Sequence, residues 1–319
     1  MKGLALSIAL ALGLALASIL IGAAPLSPTN LFSGVDGRDF SIILASRIPR
    51  TVALILAGCA MAIAGLIMQM LSRNRFAEPG TTGTIESATL GLLLAALFAP
   101  NLPVMAKMLV SSAAALLGTI LFLAILQRVP LRTPLMVPLV GLMLGSVINA
   151  AATFLAYRFD LLQSLVAWST GDFSIVLRGR YELLWISFMA AIAAYVVADR
   201  FTVAGLGRDF ANNLGLNYRA TLAIGLVIVA IVTAAVVATV GAIPFVGLVV
   251  PNIVSLIVGD NLRKTVPWTA LLGASSVLAC DIVGRSVIRP YEIPIGPIIG
   301  VVGGVIFLSL VKRGAARFG

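Results

Sequence analysis

Long apolar runs separated by short polar breaks make up most of this 319-residue chain. A helix that crosses the hydrocarbon core of a bilayer needs about 20 predominantly apolar residues. The runs predict about ten helices, with ends fixed to within a few residues, at 4–24, 48–71, 82–99, 104–127, 134–157, 181–199, 219–239, 245–258, 267–286 and 296–312. The pattern therefore predicts an all-α polytopic membrane protein in which residues 1–319 form a single transmembrane domain.

Three apolar stretches depart from a plain membrane helix. The first resembles a signal peptide, but it is longer than the usual apolar region of about 7–15 residues, and Pro25 directly follows the small residues of the only cleavage-like site. We therefore expect a membrane helix there. The stretch 245–258 is short and lies between Pro244 and Gly259, which predicts a broken or tilted helix. The run 161–170 predicts a short interfacial helix.

Composition agrees with a membrane protein. Hydrophobic residues make up 60% of the chain and charged residues 11%, whereas ordinary globular domains carry about 25% charged residues. The net charge of +10 does not indicate nucleic-acid binding, because the basic residues are scattered at the ends of apolar segments. More of them fall in the loops that are cytoplasmic when the N-terminus is inside, so we expect both termini in the cytoplasm.

The residue types needed for catalysis are scarce. The chain has no histidine, and its two cysteines lie inside apolar runs, so the sequence predicts no catalytic, cofactor or metal site. None of its lysines follows a glycine, so it lacks the P-loop that cradles a nucleoside triphosphate. Energy for uphill transport would have to come from another subunit or from an ion gradient.

Three polar interruptions stand out: the polar turn at 73–80, which follows the second predicted helix and is expected to be cytoplasmic, and two that are candidates for function. The loop at about 200–218 is expected to be cytoplasmic and to form one or two short helices that dock a soluble protein; its candidate contact residues are Arg208, Asp209, Ala211, Leu214 and Gly215. The second is an apolar stretch broken by prolines and glycines, with pathway or gate candidates Pro244, Phe245, Val246, Gly247 and Pro251. Broken helices at membrane depth are tolerated only where they face protein or a cavity.

Charged residues and glycines inside the predicted helices have a functional and a structural interpretation. Glu86 is a pathway candidate by default, although a carboxylate in the first turn of a helix is also stabilised by the helix dipole. Asp281 and Arg285 are four residues apart, which favours a structural ion pair. Glycines every four residues in 141–145 and 296–304 indicate close helix packing, within the chain or against a partner.

Several ordered motifs resemble one known family, the permeases of iron–siderophore and vitamin B12 importers, which are type II ATP-binding-cassette importers. They are Arg47-Ile48-Pro49-Arg50, Ala57-Gly58 with Gly65 and Gln69, the turn Arg73-Asn74-x-x-Ala77-Glu78-Pro79, Pro244–Pro251, Asp281-x-x-x-Arg285 and Glu292–Gly296. The chain departs from many relatives at Asn252 and Ser255, where His and Arg are common, and at Glu86. These departures resemble the subgroup associated with catecholate-type ferric siderophores.

The resemblance implies an import machine with several partners. It implies ten helices per chain, a second permease chain that is identical or paralogous, two ATP-binding subunits and a periplasmic or lipid-anchored siderophore-binding protein, all at the bacterial inner membrane. The 200–218 loop would then couple to the ATPase. An ion-gradient-driven secondary transporter is the alternative, but no predicted helix centre carries a carboxylate cluster.

The arginines on the predicted outer side need an explanation, because the positive-inside rule disfavours them there. The resemblance implies that Arg47, Arg50 and Arg289 pair with carboxylates of the binding protein, as exposed guanidinium groups can. Binding lipid headgroups or capping helix ends is the other interpretation.

Overall fold

The computed structural model describes residues 2–21, 43–129, 136–177, 179, 181–288 and 291–318. Within these ranges the chain is α-helical, apart from loops, one π-helical turn at Ile43–Arg47 and one 3-10 turn at Pro79–Thr81. The helices are α1 (Lys2–Leu20), α2 (Ile48–Leu71), α3 (Thr84–Phe98), α4 (Val104–Leu126), α5 (Met136–Arg158), α6 (Leu162–Ser169), α7 (Leu183–Val196), α8 (Ala198–Gly205), α9 (Arg208–Asn213), α10 (Tyr218–Val240), α11 (Val246–Val258), α12 (Leu262–Val287) and α13 (Ile295–Phe318).

Each predicted segment contains a helix, but not each helix is long enough to cross a membrane. Six spans among the described residues pass by length and composition, or seven if α7 and α8, which meet at a bend of 66°, are one span. Helices α3 and α11 and the apolar part of α13 are shorter. The structure thus supports an all-α protein with several membrane spans, while the predicted number of ten stays a prediction.

Helix α2 forms the centre of the bundle. It packs against α7, α10, α11 and α12, and most of its residues are buried. Glycines permit two close crossings: a Cβ at Gly65 would lie 1.9 Å from the carbonyl oxygen of Gly247 in α11, and one at Gly58 would lie 2.6 Å from that of Gly273 in α12. Small residues at such crossings let helix backbones approach in lipid, where no hydrophobic force drives helices together.

The short helix α11 begins beside the polar turn that follows α2. Helix α11 has 13 residues and so extends about 20 Å, less than the roughly 30 Å of a hydrocarbon core. Its C-terminal end is followed by the charged residues Asp260 and Arg263. The expectation of a broken or tilted helix at 245–258 therefore takes the form of a half-length helix.

Helix α12 starts earlier than the sequence predicts. Helix α12 begins at Leu262, five residues before the predicted start at 267, because the Asn261 side chain accepts a hydrogen bond from the Lys264 N–H and caps the helix. Pro267 lies inside the helix rather than at its start. Pro267 was a weak boundary signal, since the Asn cap upstream decides where the helix starts.

Candidate functional site

A buried carboxylate lies where the polar turn meets the start of α11. Glu78 is 2% exposed, and its Oε1 accepts a hydrogen bond of 3.1 Å from the Phe245 N–H. The orphan N–H groups of a helix N-terminus favour a negative charge there. Burial raises the pKa of the Glu78 carboxyl to about 7, and the bond from Phe245 partly offsets this effect.

The sequence alone assigns Glu78 no role, although the residue is part of the Ala77-Glu78-Pro79 motif. The signal that could have identified it is a carboxylate directly before Pro-Gly in a turn that precedes a short helix. Its partner at Phe245 is 167 positions away, which no local pattern reveals.

The stretch 244–251, predicted to line or gate a path, is mostly buried within the single chain. Val246, Gly247 and Pro251 are buried, whereas Pro244 and Phe245 are partly exposed. Phe245 adopts a left-handed backbone conformation with φ of 63°. Of this stretch, the side chains with exposed surface are those at its start.

Glu86 lies in the first turn of α3 and faces α5. A Cβ at Gly145 would lie 3.2 Å from its Cδ, so the glycine leaves room for the carboxylate. Its Oε2 is buried with no hydrogen-bond partner among the described residues. Gly141, one helical turn earlier, likewise leaves room for the carbonyl oxygen of Thr81. The glycine pair in α5 thus packs inside the chain.

A charge cluster, formed by Arg50, Asp281, Arg285 and Glu292, joins helix ends at the N-terminal end of α2. Arg50 donates to Asp281 Oδ1 at 2.7 Å and to Glu292 Oε2 at 2.7 Å. Asp281 also pairs with Arg285 one turn along α12. Arg285 reaches the end of α1 through the Ser18 hydroxyl at 2.7 Å. The cluster therefore ties α1, α2, α12 and the segment before α13 together.

The expectation that Arg47 and Arg50 are exposed is wrong. Arg47 is 6% exposed and donates to the carbonyl oxygens of Ile19 and Leu20, each at 2.9 Å. It thus binds the unsatisfied carbonyl groups at the C-terminal end of α1. The Arg50 side chain is 12% exposed, because Asp281 and Glu292 occupy its donors. Arg289 lies outside the described residues.

The predicted docking loop lies at the opposite end of α2, where a Cβ at Gly205 would contact Met70. Helix α9 is bounded by Gly207 and Gly215, whose φ angles of 114° and 77° suit glycine. Ala211 is fully buried, whereas the apolar side chains of Phe210 and Leu214 are 51% and 62% exposed. Arg208 and Asp209 are exposed beside them. This pattern forms an apolar surface with a charged rim, as docking surfaces have.

Ion pairs connect this end of the bundle to α12 and to the segment between α11 and α12. Asp199 of α8 pairs with Arg263 of α12 at 2.7 Å, and Arg75 of the polar turn pairs with Asp260 at 2.8 Å. The Thr202 hydroxyl accepts the Leu262 N–H. A cavity of about 510 Å³ opens between these elements. Through α8 the loop therefore contacts the start of α12.

Comparison with known proteins gives a consistent family. The model of the FecCD transport family matches residues 9–313. The petrobactin import system permease protein YclN of Bacillus subtilis (strain 168) is 48% identical over 300 residues, covering 94% of this chain and 95% of that protein. The ferric-anguibactin transport system permease protein FatD of Vibrio anguillarum (strain ATCC 68554 / 775) is 42% identical over 301 residues, covering 91% and 96%.

A solved structure shares the fold. A chain described as an inward-facing conformation of a metal-chelate type ABC transporter superposes with a TM-score of 0.82 at 24% identity, covering 98% of this chain and 99% of that one. At this identity the likeness concerns the fold alone. Together with the match along nearly the whole sequence, it leads to one conclusion: this chain belongs to the FecCD transport family.

Proposed function

We propose that the chain is the transmembrane permease subunit of an ATP-binding-cassette importer that moves an iron(III)–siderophore complex, of the catecholate type, into the cytoplasm. The observation that carries the proposal is the 48% identity, along almost the full length of both chains, to a petrobactin import permease. The ferric-anguibactin relative supports the same cargo class. Neither the family nor these relatives favour the ion-gradient-driven alternative.

Helix α9 is the proposed contact for an ATP-binding subunit. Its exposed Phe210 and Leu214 give an apolar contact, and the charged Arg208 and Asp209 give it register. Ala211 and Gly215 support the helix rather than contact the partner, since Ala211 is buried and Gly215 holds the left-handed turn. Movement of α9 would pass through α8, which packs on α12 and whose Thr202 hydroxyl accepts the Leu262 N–H, to α12 and the adjoining α11.

The opposite end of the bundle is the proposed contact for a siderophore-binding protein, through Arg50 and Arg289. Because Arg50 is already paired with Glu292, which is 23% exposed at its side chain, a carboxylate of the binding protein would have to replace Glu292. Arg47 takes no direct part in this proposal, since its donors bind α1. Its role is to position α1 against α2.

A second permease chain, identical or paralogous, completes the proposed complex with two ATP-binding subunits. The last helix supports this. A Cβ at Gly296 would contact Gly171 of the same chain, but Gly300 and Gly304 have nothing within 4 Å, and Val301, Val305 and Leu308 beside them are more than half exposed. This small-residue face is open for close helix packing. In the proposed orientation both termini are cytoplasmic and the protein lies in the bacterial inner membrane.

The experiment that tests this proposal is purification of the tagged permease from its own cells, followed by identification of bound subunits and by uptake of radiolabelled iron with a panel of siderophores. The expected result is recovery of an ATP-binding subunit and a deletion strain that loses uptake of catecholate complexes. Unchanged catecholate uptake in the deletion strain would contradict the assignment, provided that no second catecholate importer is present.

A further inference from the structure

Phe245 is held in a backbone conformation that a bulky side chain rarely adopts. Its φ of 63° lies in the left-handed region, where a non-glycine residue of this size is an outlier. Such a conformation persists only when the surroundings over-determine it, and it is a pointer to function.

Contacts from two other elements hold Phe245 in this conformation. The Glu78 carboxylate accepts its N–H at 3.1 Å, and its own carbonyl oxygen accepts the Val249 N–H at 2.8 Å as α11 begins. On the other side, a Cβ at Gly303 of α13 would lie 2.5 Å from the Phe245 Cβ. The glycine is therefore required for the ring to occupy its position.

The Phe245 ring belongs to an aromatic cluster, formed by Phe76, Phe245 and Phe307. The centroids of Phe245 and Phe307 are 6.4 Å apart, and Phe76 contacts Phe307 edge-on at 5.7 Å. All three rings are partly exposed, whereas the residues that follow Phe245 at 246–251 are buried. The cluster therefore presents accessible aromatic surface at the N-terminal end of the half-length helix α11.

We propose that Phe245, positioned by Glu78, is a specificity-determining contact that favours iron complexes whose ligands carry aromatic rings. The inference rests on the proposed function. Its chemical basis is that aromatic rings attract one another edge to face or offset, beyond what their buried area contributes. A catecholate ligand presents such ring edges and faces, whereas a hydroxamate or citrate ligand does not. The cluster carries no charge, so it would select the rings and not the charge of the complex.

The test uses the complete importer in proteoliposomes, with two iron(III) complexes that both load the binding protein, one tricatecholate and one trihydroxamate. Initial uptake rates are measured at saturating loaded binding protein for wild type, Phe245→Leu, Phe245→Tyr and the control Phe98→Leu, in which the altered ring is 80% exposed and outside the cluster. We expect Phe245→Leu to lower the catecholate-to-hydroxamate rate ratio by roughly three- to tenfold, the worth of one aromatic pair. Phe245→Tyr and Phe98→Leu are expected to keep the ratio.

A second pair of variants tests the positioning role of Glu78. Glu78→Gln retains an acceptor for the Phe245 N–H and is expected to keep the rate ratio, whereas Glu78→Ala is expected to shift it as Phe245→Leu does. If Phe245→Leu lowers both rates equally, or changes neither, the ring only packs and the inference is overturned. If the wild-type importer moves neither complex with ATP, the proposed function itself fails, a result that is distinguishable from an unchanged ratio.

Discussion

Charged side chains in this protein are buried mainly where another part of the chain supplies a partner. In the charge cluster Asp281 accepts from both Arg50 and Arg285, and its side chain is fully buried. Removing one partner from such a group leaves an uncompensated buried charge. The exposed pairs at the other end of α2, such as Arg263 with Asp199, have water as an alternative partner and contribute little.

Asp281→Asn should therefore destabilise the protein strongly, by about 3–5 kcal/mol. Its matched control, Asp199→Asn, removes the acceptor of an exposed pair and should cost at most about 1 kcal/mol. Thermal unfolding in detergent, followed by tryptophan fluorescence, measures both. Equal losses in the two variants would mean that the cluster does not hold α1, α2 and α12 together.

Glu78 makes stability depend on pH in a predictable direction. Because burial raises its pKa to about 7 in the folded protein from an ordinary value of 4.5, the folded state binds the proton more tightly than the unfolded state does. Its contribution to stability is present in full below about pH 4.5 and is lost as the pH rises through 7.

Glu78→Gln should flatten this dependence, because the amide does not titrate but still accepts the Phe245 N–H. Between pH 5 and pH 8 the melting temperature of wild type in detergent should fall more steeply than that of the variant. The corresponding difference in the free energy of unfolding is at most about 3 kcal/mol. Parallel curves over this range would show that Glu78 does not titrate there. The negative charge of Glu86 also raises the pKa of Glu78, so Glu86→Gln is the control for this smaller contribution.

For single residues, the sequence predicts contacts between side chains that are close along the chain, but not between side chains that are far apart along it. The spacing of Asp281 and Arg285 predicts their pairing, because residues four apart share a helix face. Arg50 meets Asp281 across 231 positions, and only the packing of α2 against α12 brings them together. For the same reason the burial of both docking arginines was not predictable from their position at a helix end.

Among the secondary-structure elements, the short ones carry most of the proposed function. Each apolar run contains a helix among the described residues, since helices satisfy their backbone groups internally in lipid. The runs did not reveal that α11 crosses α2 at a contact between Gly65 and Gly247. Glycine is compatible with many environments, so its presence alone does not specify a crossing.

Gly65→Ala should disrupt this crossing, because the new Cβ would lie 1.9 Å from a backbone carbonyl oxygen that cannot rotate away. Overpacking of this kind costs roughly 1–3 kcal/mol or more. Gly13→Ala in α1 is the control, since nothing lies within 4 Å of its Cβ position. The amount of monodisperse protein recovered after heating compares the two. Equal recovery would contradict the close crossing.

The docking role of α9 has a variant that spares the fold. Leu214→Asp and Phe210→Asp change exposed side chains, so the permease should insert and purify normally while co-purification of the ATP-binding subunit falls by tenfold or more. Ala211→Leu should also uncouple ATP hydrolysis from transport, but through displacement of the buried face of α9. Normal cargo-stimulated hydrolysis in the Asp variants would exclude α9 as the coupling contact.

At the scale of the whole molecule, the two ends of α2 carry different features. The charge cluster lies at one end, α9 and the Asp199–Arg263 pair between α8 and α12 lie at the other, and between them α11 begins at Glu78 and Phe245. Composition and apolar length were sufficient to predict the membrane class. The open glycine face of α13 and the partly exposed aromatic cluster become meaningful only in the assembled fold, because each depends on what its neighbours leave uncovered.

The proposed function is import of an iron–siderophore complex, driven by ATP that separate subunits hydrolyse. Its most direct test is the purified permease in proteoliposomes with its ATP-binding subunit and its loaded binding protein, using an iron-55 catecholate complex. We expect iron to accumulate only when ATP and both partners are present, and to go on accumulating when ionophores remove all ion gradients. Accumulation that proceeds without ATP and stops with the ionophores would contradict it.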